Sequence, residues 1–320
     1  MKSIKYFFFA LLCIILTTLP VFGAERGLTT VVRQLDETLP VGTQYLLIIA
    51  ISRYRHWVAL ENPVKNAIAI KESLMSRYYM DEVIELYDEA ATKLNIIRQF
   101  TGLEAKLTPG DSLLILYAGH GYGAMDESVG YWIPVDGGRD NVARENWLSN
   151  NELLALIGGI KASHICLLAD ACYSGKLLAR ERAYTDKPPD PTDIPYYRKA
   201  YRLTSRQVIT SGASEVVPDV SEFAVQLKQV LEKNNDAFLD PGMLFDQVKR
   251  GVNSTLPLFG TLKDTGHQEG AMFLLFLKDR RCSLIVHTAE KGALYLNHTL
   301  YRETIAGKWI IQNLDQGEYR

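Results

Sequence analysis

The chain has 320 residues, 47% of them hydrophobic and 22% charged, enough for one large domain with a substantial core plus a smaller appendage; this excludes a disordered chain. A formal net charge of -2, with basic residues scattered rather than gathered into a stripe, argues against nucleic acid as a partner.

The amino terminus reads as a targeting segment. Lys2 and Lys5 precede the apolar run Tyr6 to Leu16, and Val21-Phe22-Gly23 offers a cleavage site before Ala24. Residues 1–23 are therefore expected to be a signal peptide and the protein to be exported, either periplasmic or secreted. The alternative is an uncleaved membrane anchor, because the run with its extension toward Phe22 approaches the roughly 20 residues of a spanning helix. Once that segment is removed, Cys166, Cys172 and Cys282 remain, an odd number that argues for a free thiol rather than a disulfide framework. No C-x-x-C and no histidine pair at ligand spacing occurs, so no metal or other cofactor is expected.

Residues 24–43 read as a linker. Tyr45 to Ile51 (YLLIIAI) is the first buried strand, followed by the polar and aromatic loop SRYRHW. Asn62 is placed to cap a helix with Pro63 at its first position, and apolar residues recur at helical spacing as far as Tyr78. Val83 to Tyr87 is a second strand, and Thr92 to Leu103 a second helix closed by Gly102 and later by Pro109-Gly110. Leu113 to Ala118 is the third long strand, with a short strand Tyr131 to Val135 beyond it. Ser149 and Glu152 form a capping box for a helix that Gly158-Gly159 stops, and Ile165 to Ala169 is the fourth long strand.

From Arg182 to Arg202 the composition turns to Pro, Asp, Tyr, Arg and Lys, which predicts a long exposed loop. Gln207 to Thr210 reads as a strand, Glu222 to Lys233 and Pro241 to Val252 as helices, and Ala271 to Leu277 as a last strand. Alternation of strand and helix predicts an α/β fold: a mainly parallel sheet with helices on both faces. Past Lys278, short alternating strands (Ser283 to His287, Leu294 to Leu296, Trp309 to Ile311) predict a small, partial antiparallel β module over 280–320.

Two strands deliver a reactive side chain just past their ends. LLILYAGHG, Leu113 to Gly121, presents His120, and HICLLADACYSG, His164 to Gly175, presents Cys172. Open α/β sheets bind ligands beyond the carboxyl ends of their strands, so a thiol and an imidazole there can meet in one crevice. Cysteine-protease chemistry needs a thiolate, a base and oxyanion donors. Cys172 is the candidate nucleophile, His120 the base, and the backbone N–H groups of Gly121 and Cys172 the oxyanion donors. A helix expected to begin at Tyr173 to Ser174 would lower the thiol pKa through its positive end. His164, opening a strand, His267, in a Gly-rich turn, and Cys166, within a strand, read as structural.

These motifs resemble the caspase and metacaspase superfamily, including its bacterial caspase-like peptidases. The matching residues are Tyr117-Ala118-Gly119-His120-Gly121, Asp170-Ala171-Cys172-Tyr173-Ser174-Gly175 and Asn62 to Ala67, and Pro257 to Phe276 looks like the closing strand region. The resemblance implies a caspase-like peptidase domain over 44–279 with a Cys172–His120 dyad. Asp170, two residues before the cysteine, looks like the metacaspase acid that accepts Arg or Lys at the cleaved bond; the alternative is a strand-end residue bonding backbone amides. The second acid of that pocket is replaced by Asn66, and Ala118 stands where many members have serine. Calcium, which some members require, is left without assigned ligands. The long loop, with Arg180, Arg182, Lys187, Arg198, Lys199 and Arg202, is either a self-cleavage region or a solvated loop. The carboxyl-terminal segment resembles the start of a PEGA-type module, which together with the amino-terminal segment implies envelope association. The function expected is an exported cysteine endopeptidase acting on peptide or protein and cutting after basic residues. The alternative is a caspase-like binding or scaffolding module without appreciable turnover, and a third reading is a redox pair of Cys166 and Cys172.

Overall fold

The computed structural model describes residues 41–123, 129–140, 144, 146–171, 174–179, 193–212 and 220–278, and the backbone of four strands between 281 and 315. The predicted signal peptide and nearly all of the predicted linker lie outside the described residues, as do Cys172 and the 180–192 part of the long loop. No helix among the described residues is long and apolar enough to cross a membrane.

The central sheet holds β1 (Gln44–Ala50), β2 (Glu82–Tyr87), β3 (Ser112–Ala118), β7 (His164–Asp170), β8 (Ser205–Thr210) and β10 (Leu258–Thr261), in the order β10-β8-β7-β3-β1-β2. Every pairing is parallel except that of β10 with β8. β1 and β3 are buried along their whole length and β7 almost so. Their apolar runs are continuous because both faces are covered.

Alternation along these strands divides the core. Leu47, Ile115, Ile165 and Leu167 face the layer of α2 (Lys93–Lys106) and α3 (Asn150–Gly159), through Ile96, Phe100, Leu153 and Ile157. Leu46, Leu114, Cys166 and Leu168 face α1 (Pro63–Arg77), α5 (Glu222–Lys233) and α6 (Pro241–Val248), through Leu74, Phe223 and Leu244. β1 leads outward to β2, and the chain then crosses back past β1 to β3 and on to β7. The direction therefore reverses at the β1/β3 boundary, where such sheets open a crevice beyond their carboxyl ends.

Several local expectations are corrected. Gly102 does not close α2, which runs on to Lys106 with Thr92 capping its start; a Cβ at Gly102 would touch nothing, so the glycine sits on an open helix surface. Asn62 precedes α1 but makes no side-chain cap; the Ser52 hydroxyl accepts the Val64 N–H at 3.2 Å instead. The predicted strand Tyr131 to Val135 shortens to β5 (Tyr131–Trp132), which pairs antiparallel with β4 (Gly121–Tyr122) and β6 (Leu148–Ser149). The Ser149–Glu152 capping box is present, although α3 includes Gly158 and Gly159. The predicted loop up to Arg202 contains α4 (Ile194–Tyr201), capped by Asp193. Its Tyr197 and Tyr201 are buried against Phe238, Leu274 and Phe276. α6 ends at Val248, and the predicted last strand narrows to β11 (Leu275–Phe276), paired with β9 (Phe238–Leu239). Beyond residue 280, β12 (Arg281–Thr288) pairs antiparallel with β15 (Gly307–Asp315), and β13 (Gly292–Leu296) with β14 (Thr299–Thr304).

The amino-terminal ends of the strands are fastened by buried polar groups. His164 stacks on Tyr201 with ring centroids 3.9 Å apart and faces the Ser205 hydroxyl at 3.3 Å. Arg206 donates to the carbonyls of Ile160, Ser163 and Ser205. Burial first, and then the Arg206 charge, push His164 down to about 3, and burial lowers Arg206 to about 10. A histidine whose folded pKa lies below its unfolded value near 6.5 stabilises the fold above that value, and the contribution is lost as pH falls toward 3. Thermal melts across that window are expected to show a His164→Phe variant, which keeps the stacked ring, losing less stability than the parent, by on the order of a few kcal/mol. Equal acid slopes would refute this. Asp170 and Asp240, both raised by burial, act in the opposite direction but are common to both proteins.

Candidate active site

The register of β3 against β7 sets the site. Ala118 stands beside Asp170 in the parallel ladder, and the Gly119 N–H donates to the Asp170 carbonyl at 3.3 Å. The two chains therefore leave the sheet as neighbours, at the spacing of about 4.8 Å between paired strands. His120 comes two residues after Ala118.

His120 is held at three points. Its N–H donates to the Tyr54 hydroxyl at 2.7 Å. Its carbonyl accepts from the Tyr117 hydroxyl at 2.8 Å and from the Ile133 N–H at 3.1 Å. Its ring nitrogen Nε2 lies 2.8 Å from the Val58 carbonyl. A carbonyl only accepts, so Nε2 carries the hydrogen, and in the neutral ring Nδ1 is the nitrogen that takes a proton. The rings of Tyr54 and Trp57 pack against the imidazole at 4.7 and 5.5 Å. Behind it, Tyr117 stacks flat on Trp132 at 3.8 Å and Trp57 meets Trp147 at 5.6 Å.

Asp170 ends β7 on the face of α1 and α5, in step with Cys166 and Leu168. Part of the residue reaches solvent, but Oδ1 is buried and has no hydrogen-bond partner among the described residues, and the same holds for the Ser211 hydroxyl. Burial raises the Asp170 carboxyl above the usual carboxylate range, and the nearby Ser221 and Ser211 hydroxyls only partly oppose it. Ser221 is itself the N-cap of α5, accepting from the Ala224 N–H at 3.0 Å. Asn66 lies half-buried in the first turn of α1, the helix that covers this face of the sheet. Gly121 opens β4 opposite Trp132.

The family model described as "Metacaspase, peptidase C14 domain" matches residues 44–180. Residues 44–180 are thus similar to a metacaspase-like peptidase C14 domain. The match supports a caspase-like cysteine peptidase, for which a peptide or protein is the substrate implied. The fold agrees with a crystal structure described as protein GSU0716 from Geobacter sulfurreducens, which is similar with a TM-score of 0.50 at 17% identity. That similarity covers 72% of this chain and 100% of the other, and it concerns the fold alone. No curated protein matches the chain.

Within the matched region, Cys172 follows Asp170 by two residues and lies outside the described residues. The helix expected to begin at Tyr173 to Ser174 is corrected: from Ser174 to Leu177 the chain makes a single 3₁₀ turn, tied by the Ser174 hydroxyl donating to the Ala171 carbonyl at 2.9 Å. One such turn supplies little macrodipole, so thiol activation would rest on the imidazole and nearby backbone N–H groups. Cys166 is buried in the core with its thiol pushed up by desolvation, far from a reactive state. His267 accepts the Arg206 N–H through Nδ1 at 3.0 Å, a strand-edge contact. No group of three or more His, Cys, Asp or Glu that could hold a metal occurs among the described residues. Sequence reasoning missed Tyr54, Val58, Ser211 and Ser221. Only the clustering of aromatic residues in SRYRHW hinted at the first of these.

Proposed function

We propose that the protein is an exported cysteine endopeptidase that cuts after Arg or Lys. Cys172 attacks the scissile carbonyl as a thiolate after His120 Nδ1 takes its proton. The tetrahedral oxyanion is held by the N–H groups of Gly121 and Cys172. Collapse of the intermediate breaks the C–N bond as His120 returns the proton to the leaving amine. Water activated by the same imidazole then hydrolyses the thioester. Asp170, with Asn66 on the same face, receives the basic side chain.

The observation that carries this reading is the pairing of Ala118 with Asp170, since the next residue but one on each strand is His120 in one case and Cys172 in the other. The basic preference is supported by the partly exposed carboxyl of Asp170, whose Oδ1, like the Ser211 hydroxyl, has no hydrogen-bond partner among the described residues and could accept from a guanidinium or ammonium. Export rests on residues 1–23, and envelope association on that segment and the carboxyl-terminal β module. A mature protein beginning at Ala24 in an intact-mass measurement would support cleavage.

A thiol-reactive peptide probe ending in Arg tests the central claim. The expected result is one labelled site, Cys172, with labelling lost in Cys172→Ala and strongly reduced in His120→Ala. Labelling indifferent to both substitutions would leave a binding or scaffolding module. Preference for Arg or Lys over Asp, Gln and Leu in a peptide library is the matching result for the Asp170 pocket.

A further inference from the structure

We infer that Tyr54 is a positioning residue for His120, acting through its hydroxyl; this rests on the dyad proposed above. The imidazole is carried by the short link from β3 to β4, which a two-residue strand alone would leave loosely held. The Tyr54 hydroxyl takes the His120 N–H at 2.7 Å while the Tyr54 ring lies 4.7 Å from the imidazole, so one side chain fixes both backbone and ring.

Neighbouring residues are shaped for that contact. A Cβ at Gly119 would lie 2.4 Å from the Tyr54 oxygen, so the hydroxyl reaches the His120 N–H only because residue 119 is glycine. The segment that carries Tyr54 also supplies the Val58 carbonyl to Nε2 at 2.8 Å, and Trp57 to the ring at 5.5 Å. The segment is itself anchored. Asp88, in a left-handed backbone conformation at φ 43°, accepts the N–H groups of Ser52 and Arg53 at 2.8 and 2.9 Å and the Arg53 Nε at 3.0 Å. Arg55 N–H donates to the Val135 carbonyl at 3.0 Å, and Trp57 Nε1 to the Gly138 carbonyl at 3.1 Å. The loop after β1 is thus tied at the end of β2 and to the segment after β5, and Tyr54 transmits that rigidity to the base.

Tyr54→Phe removes the acceptor and keeps the ring. On a basic peptide substrate, kcat is expected to fall between about 10- and 100-fold, as for a base displaced by a fraction of an ångström, with KM within about twofold. Cys172 alkylation should slow at neutral pH, where the thiolate depends on His120, and match the parent at pH above the free-thiol range. A merely structural role would not produce that pH-selective effect.

Gly119→Ala, assayed in both backgrounds, provides the second arm. The added methyl meets the hydroxyl oxygen, so its cost should be smaller in Tyr54→Phe than in the parent, a non-additive cycle. An unchanged kcat in a folded Tyr54→Phe, or additive costs, would overturn the inference. His120→Ala run in parallel separates the two claims: activity insensitive to His120 defeats the dyad, whereas sensitivity to His120 with none to Tyr54 defeats only the positioning role.

Discussion

His120→Ala is expected to lower kcat/KM on an Arg-terminated fluorogenic peptide by about 10²–10⁴-fold, the contribution of a well-placed general base. The loss should fall on kcat, because the imidazole acts on the thiol and the leaving amine and is not expected to grip the substrate's basic side chain. With Nε2 committed to the Val58 carbonyl, the proton is exchanged through Nδ1. His164 is buried at the amino-terminal ends of the strands, the opposite side of the sheet from His120, and His267 is bound to the Arg206 backbone nearby. Cys172→Ala removes the covalent route altogether, and the double variant should be no worse than Cys172→Ala alone, as for residues that act as a unit. His120→Ala retaining activity within a few-fold of the parent, with melting unchanged, would exclude His120 as the base.

The sheet was legible where burial is two-sided. YLLIIAI, LLILYA and ICLLA are continuous apolar runs, and they became β1, β3 and β7, the three strands at the centre. β10 lies in the Pro257 to Phe276 region that resembled a closing strand, but its bounds were not read because LFGT is short and half-buried throughout; its glycine admits Leu178, whose Cδ2 would lie 2.8 Å from a Cβ there. α4 was hidden by composition. IPYYRKAY reads as loop beside a run of prolines, but Tyr197 and Tyr201 bury their rings while Asp240 accepts the Tyr197 hydroxyl at 2.8 Å. Local polarity thus lost to a tertiary contact 43 residues away.

The site was legible for a different reason. His120 and Asp170 stand at the ends of apolar runs bounded by small residues, and the pattern marks the end of a buried strand. What surrounds His120 left no such mark. The Val58 carbonyl is backbone, which any residue would offer, and Val58 itself is an exposed hydrophobic. Tyr54 depends on the absence of a side chain at position 119, a steric fact invisible until two segments 65 residues apart are brought together. The strands that carry the proposed dyad were expected only to end at a common crevice; that they are neighbours, with Ala118 against Asp170, comes from the folded sheet.

Asp170→Asn is expected to reduce kcat/KM for Arg and Lys substrates by about 2–5 kcal/mol, roughly 30- to 5,000-fold, while cleavage of substrates with a neutral residue there changes little. Removing one partner of a desolvated ion pair leaves the other buried and uncompensated, hence the size of the effect. The carboxyl is already raised by burial, and no charged group among the described residues contributes to that shift. Without substrate the pocket therefore holds its proton to higher pH than an exposed aspartate does. A cationic side chain favours the ionised form, so basic substrate and proton compete for Asp170. KM for an Arg substrate should rise as pH falls toward the carboxyl's raised pKa, and the slope should vanish in Asp170→Asn and for a neutral substrate in the parent protein. Asn66→Asp, which adds a second acid on the same face, should tighten Arg substrates if both residues line one pocket. Steady-state kinetics from pH 4 to 8 on matched Arg and norleucine peptides decide it. A KM for Arg that is flat with pH, or equally steep for norleucine, would remove Asp170 from substrate recognition and return it to a strand-end role.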